Sequence, residues 1–123
     1  MPLNPYLLFN GNAREAALYY AKVFETEPPL IFTYGEMDPQ CPPELAELVM
    51  HTYVEIAGTQ LMMSDDTRPD FRAGNNFTLA YVSGDERAIR SAFGKLAADG
   101  GAVELELQEM PWSKCHCQLT DKV

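Results

Sequence analysis

His51 stands in the alternating segment Met50 to Ala57, which puts it on one strand face with Tyr53 and Glu55. An imidazole beside a carboxylate can act as a general base, because the negative neighbour favours the protonated ring. The same residue type also serves sheets as a structural hydrogen-bonding group. Asp65-Asp66, with Asp70 close by, supplies the paired carboxylates that acid/base chemistry uses, Asp65 being the better placed. Adjacent aspartates at a strand end equally form a solvated turn. His51 and Asp65 together therefore define one candidate catalytic pair, for an acid/base reaction that needs no metal.

Cys115-His116-Cys117 invites a metal. Along a strand, however, the cysteines share one face and His116 takes the other, so three ligands do not converge without a bend. Zinc sites usually join C-x2-4-C motifs, and the third cysteine, Cys41, lies far off in a loop. These residues read as ordinary thiols, and no metal ligand is assigned. Tyr6, Tyr53, Met62 and Trp112, with Glu55, are the candidate ligand-binding set. Aromatic and soft apolar side chains of this kind fill cores, and they also line small-molecule pockets in which a few polar groups fix orientation.

The elements that must position these groups follow from periodicity. Pro5 to Asn10 reads as a short buried strand broken by Gly11-Asn12. Asn12 with Glu15 has the form of a capping box, and Ala16, Tyr20, Val23 and Phe24 recur at helical spacing until Glu27-Pro28-Pro29. Leu30 to Tyr34 is a second strand, rich in β-branched and aromatic residues. Gly35 to Glu44 is a proline-rich excursion with a short helix after Pro43. Met50 to Ala57 and Gln60 to Ser64 form a hairpin across Gly58-Thr59. The polar run Asp65 to Gly74 links to a second half. There, Asn75 to Val82 reads as a strand, and Asp85 caps a helix with the apolar face Ile89, Phe93, Leu96 and Ala97, ended by Gly100-Gly101. Ala102 to Leu107 and Cys115 to Asp121 follow as strands.

The halves correspond at a constant shift of 73 residues, with Gly11 on Gly84, Asn12 on Asp85, Arg14 on Arg87, Tyr20 on Phe93 and Val23 on Leu96. Both run strand, capped helix, strand. The expected fold is thus α+β, two paired βαβββ modules forming curved sheets around a cleft. Residues 1–123 are read as a single domain, with a first module at 1–66, a linker at 67–74 and a second module at 75–123 whose last strand is shortened.

Composition narrows the partners. The 123 residues carry 9 Lys plus Arg against 18 Asp plus Glu, a formal charge of −9. Scattered cations on an acidic chain do not make the basic stripe that nucleic acid needs, nor the patch that anionic membranes attract. No apolar run reaches the ~18 residues of a membrane span, and the first residues have no signal-peptide character. Three cysteines make no disulfide framework. The expectation is a cytoplasmic protein binding a small molecule.

FNGNAREAALYYAKVF (Phe9 to Phe24), VMHTYVEIAG (Val49 to Gly58), LMMSD (Leu61 to Asp65), the GNNFTL of the second half and the late Trp112 resemble the PhnB-like branch of the vicinal oxygen chelate superfamily. That superfamily includes glyoxalase I, extradiol dioxygenases and the bleomycin and fosfomycin resistance proteins. The resemblance runs nearly end to end and implies the glyoxalase/bleomycin resistance-like fold. It also implies a divalent metal held by His and Glu from the first and last strands of each module. The chain departs from that pattern, since Pro2 to Phe9 and Asn75 to Val82 contain no His, Asp or Glu, and Gln60 to Ser64 offers only Gln60 and Ser64 before Asp65. Some members bear a ubiquinone-pathway methyltransferase label, yet no strand, glycine-rich loop and helix are followed here by an acidic residue for a ribose. The expectation is a protein of unassigned activity that binds a small molecule in its cleft with no cofactor. The alternatives are a metal-dependent lyase, isomerase or dioxygenase, and the metal-free His51/Asp65 enzyme. A shortened last strand leaves an edge, and exposed edges are usually paired, so a homodimer is expected.

Overall fold

A computed structural model describes residues 3–74, 77–98, 100–110 and 113–120, with side chains up to residue 103. Two compact units, Met1–Asn76 and Phe77–Val123, divide the chain. The fold is α+β.

The first unit runs β1 (Tyr6–Phe9), α1 (Ala13–Val23), β2 (Ile31–Thr33), α2 (Tyr34–Met37), a 3-10 turn (Pro43–Leu45), β3 (Val49–Ile56) and β4 (Thr59–Asp65). The strands form one sheet in the order β1-β4-β3-β2, with β1 parallel to β4 and the other pairs antiparallel. This is a βαβββ module of glyoxalase-like type. The α2 turn, held by a Thr33–Glu36 capping box, falls where the sequence suggested only a loop.

Alanine decides how α1 packs. It favours helix and is small enough to let the helix axis approach the sheet, and Ala13, Ala16 and Ala17 are completely buried. Beneath them lie Phe9, Thr52, Val54, Leu61 and Met63. Burying a side chain such as Met63 stabilises the fold by about 1.5–3 kcal/mol. Glu25 ends the helix in a left-handed conformation (φ 54°), and the Thr26 N–H donates back to the Ala21 carbonyl at 2.9 Å.

The expected capping box at the start of α1 does not form, because the Asn12 side chain makes no capping bond. The first turn is capped instead from β4, where Asp65 Oδ1 accepts the Ala13 N–H at 2.9 Å. A local pattern had a stronger, non-local competitor.

In the second unit, α3 (Glu86–Ala98) precedes an antiparallel hairpin of β5 (Ala102–Met110) and β6 (Ser113–Thr120). Asp85 caps α3 as expected, its Oδ1 accepting from Arg87 N at 3.0 Å and Ala88 N at 3.4 Å. At the other end Gly100 (φ 96°) and the Gly101 N–H to Leu96 carbonyl bond close the helix. The starts of α1 and α3 are 73 residues apart, the shift read from the sequence.

The strand expected at Asn75 to Val82 is not seen over residues 77–82. A strand requires a partner for its backbone groups. β1, its counterpart in the first unit, pairs with the last strand of that module, and among the described residues no strand stands in the corresponding place for 77–82. Phe77, Leu79 and Val82 are accordingly exposed.

Candidate functional site

The sheet of the first unit has one face under α1 and one open face. Alternation sorts the residues: on β3, Thr52 and Val54 are buried on the helix side, whereas His51, Tyr53 and Glu55 take the open side. Register extends this across the sheet. Tyr6 and Tyr53 both pair with Met62, so the three form a row over β1, β3 and β4. Phe32 pairs with His51, and Glu55 with Gln60. Tyr6 and Leu8 are nearly half exposed, at 48% and 46%, so β1 is not the fully buried strand that its apolar run suggested.

The centre of the open face is a Tyr6–His51 contact. The Tyr6 hydroxyl and His51 Nδ1 are 3.0 Å apart and hydrogen-bonded. The two rings lie 5.7 Å apart, tilted by 46°, and the Tyr53 ring is 6.3 Å from the imidazole on β3. Tyr6 thus occupies one ring nitrogen and leaves Nε2 to meet anything bound to this face. The tyrosine rings add apolar area with polar tips.

Asp65 sits elsewhere. It is 2% exposed and lies on the helix side of the sheet with Leu61 and Met63, opposite to His51. Oδ1 accepts from Ala13 N and Oδ2 from Val49 N, both at 2.9 Å. The structure does not bring His51 and Asp65 together, and both oxygens of the carboxylate are engaged by backbone. Asp66, beside it, forms a bidentate pair with Arg68 at 2.9 Å. That guanidinium lowers the Asp66 carboxyl to about 2. Of the ligand-binding set, Tyr6, Tyr53, Glu55 and Met62 share the open face, while Trp112 lies outside the described residues. Cys115, His116 and Cys117 belong to β6, where His116 pairs with Gln108. Cys41 is a free thiol. Sequence reasoning passed over Phe32 and Leu8 on the open face; the short β2 and the apolar β1 gave no alternation to find them by.

A groove of about 570 Å³ adjoins this face, lined by Glu25 to Leu30 and by Tyr53, Val54, Glu55 and Gly58. Its origin is in the chain. Pro28 and Pro29 have no N–H to offer the β3 edge, so β2 begins only at Ile31 and pairing with β3 stops at Thr52. Beyond that point the incoming segment stands away from Tyr53 to Glu55.

Comparison with known proteins places the chain. The family model described as 3-demethylubiquinone-9 3-methyltransferase matches residues 2–119. The chain belongs to this PhnB-like family. It is 34% identical to protein YjdN of Escherichia coli, over 99% of this chain and 89% of that protein. Among solved structures, protein PA1353 of Pseudomonas aeruginosa superposes with a TM-score of 0.83 at 25% identity, covering 99% of this chain and 90% of its own. A putative 3-demethylubiquinone-9 3-methyltransferase, PhnB protein, from Bacillus cereus gives 0.74 at 28% identity, covering 99% and 92%.

The methyltransferase description implies a methyl donor, and the residues of this PhnB-like chain do not fit the common nucleoside-binding arrangement. That arrangement uses a strand, a glycine-rich turn and a free helix N-terminus. Here the N-terminus of α1 is already filled by the Asp65 carboxylate, and the acidic residue just past β2, Glu36, is turned back to accept the Thr33 N–H in a capping box. Nor do the described residues of the open face make a divalent-ion site. A catalytic site needs about three protein ligands, and the open face offers His51 and Glu55 from β3 but no imidazole or carboxylate from β1 or β4. Among the described residues no group of three or more His, Cys, Asp or Glu is gathered for a metal. No helix among them is long and apolar enough to cross a membrane.

Proposed function

We propose that this PhnB-like protein binds an aromatic small molecule on the open face of its first sheet, as a metal-independent member of the vicinal oxygen chelate superfamily. One observation carries the reading: an imidazole oriented through Nδ1 by the Tyr6 hydroxyl at 3.0 Å, flanked by Tyr53, on an exposed aromatic surface. Small-molecule sites combine such apolar walls with a few directed polar groups. Nε2 of His51 supplies the directed group, and Tyr6, Tyr53, Met62 and Phe32 supply the wall. A ligand carrying a ring and a hydrogen-bonding substituent satisfies both. The reading includes a cytoplasmic homodimer.

Thermal-shift titration against a panel of aromatic compounds tests the proposal. A ligand that binds only the native state stabilises it by about 2.7 kcal/mol at a hundredfold excess over Kd. Stabilisation by a panel member that disappears in His51→Ala supports the site, and equal stabilisation of wild type and His51→Ala overturns it. Elemental analysis of metal-replete protein is the second arm, and one equivalent of divalent metal per chain would overturn the metal-independent part.

A further inference from the structure

We infer that the groove beside Tyr53 selects organic cations, so that the ligand of the open face carries an ammonium or amidinium group as well as a ring. The inference rests on the ligand-binding reading above and deepens it. The groove, about 570 Å³, is continuous with the open face because Tyr53 and Glu55 belong to both. Its volume suits a substituent of several heavy atoms. Pro28, Pro29 and Leu30 give it apolar contact surface, and Tyr53, a residue whose ring attracts positive charge, lines it as well.

The sign of charge follows from what lines it. Glu27 and Glu55, both exposed, line it with carboxylate side chains, and no lining residue is Lys or Arg. The bias extends across the sheet, since none of the strands β1 to β4 contains a Lys or Arg. A phosphonate or carboxylate ligand would meet no Lys or Arg from these strands and would be repelled by Glu55. A quaternary ammonium has no hydrogen-bond requirement and is served by the tyrosine face and the carboxylates together.

The test is an amide-resolved NMR titration of the full chain with benzyltrimethylammonium, benzyl alcohol and phenylphosphonate. The expected result is saturable movement of the Tyr53, Glu55 and Gly58 amides by benzyltrimethylammonium, at an affinity at least about tenfold above that of phenylphosphonate, weakening as salt is raised. Glu27→Gln and Glu55→Gln, both at exposed positions, should each weaken it about threefold. Equal binding of phenylphosphonate, shifts that never saturate, or unchanged binding in the double variant would overturn the inference. If benzyl alcohol moves Tyr6 and His51 while the ammonium leaves the groove unmoved, cation selection falls and aromatic binding stands. If none of the three binds, both fall.

Discussion

Asp65 caps a helix that begins 52 residues earlier in the chain, its Oδ1 accepting the Ala13 N–H at 2.9 Å. Oδ2 takes the Val49 N–H at the same distance, so one buried carboxylate ties α1, β3 and β4 together. A negative group at a helix N-terminus is also favoured by the helix dipole.

Asp65→Ala leaves two buried N–H groups without acceptors and should destabilise the protein by about 2–4 kcal/mol. Asp65→Asn keeps one acceptor oxygen and should cost about half as much. Urea denaturation of the two variants decides this. A fully stable Asp65→Ala would mean the carboxylate serves something other than the fold.

Tyr6→Phe removes the hydroxyl that meets His51 Nδ1. Because the pair is exposed, stability should change by less than about 0.5 kcal/mol. The imidazole loses its fixed orientation, however, and with it the direction of Nε2. Nitrogen-15 spectra of the histidine ring should show a redistribution between tautomers, and aromatic ligands should bind more weakly with little change in melting temperature. An unchanged tautomer distribution would remove Tyr6 from this role.

Arg68 holds the Asp66 carboxyl well below its ordinary value of 3.8, at about 2. A depressed carboxylate contributes stability above its unfolded value and loses it as the pH falls through the folded one. The window is therefore between about pH 4 and pH 2, with the contribution fully present at neutral pH. Arg68→Ala should return the Asp66 midpoint towards 3.8 in a carboxylate NMR titration. A midpoint unmoved by the substitution would show that the turn itself, through its backbone bond, sets the value.

What could be read from the chain was local. The alternation of His51 to Glu55 and the Asp85 cap of α3 concern neighbours in sequence, and both are found, while Met50, at a register shift between β2 and β3, is exposed; the 73-residue shift between α1 and α3, a repeat of local pattern, is found as well. What could not be read depended on distant partners. Asn12 had the right spacing for a cap and lost to Asp65. Phe77 to Val82 has strand-forming composition, and composition does not reveal whether a neighbouring strand is present. For the site, sequence placed Tyr6, His51, Tyr53, Glu55 and Met62 as candidates, and register puts them on one face. It also paired His51 with Asp65, which the alternation of β4 sends to the opposite side. That error came from reading Asp65 as the start of a polar turn, when it is the last residue of the strand.

The turn between β3 and β4 offers the cleanest stability test. Ala57 and Gly58 form its two central residues, and both have positive φ, 51° and 83°. Two-residue hairpins favour this left-handed pair because its twist matches the strands. Glycine adopts it freely, whereas alanine meets a steric cost of about 1–2 kcal/mol between its Cβ and the carbonyl oxygen. Ala57→Asn should therefore stabilise the protein by about 0.5–1 kcal/mol, since asparagine tolerates that conformation. Gly58→Ala should destabilise by about 1 kcal/mol, although a Cβ there would meet nothing within 4 Å. The contrast isolates backbone conformation from packing. Opposite signs for the two variants in urea melts are the expected outcome; two destabilisations would mean that this turn does not hold its left-handed geometry in solution.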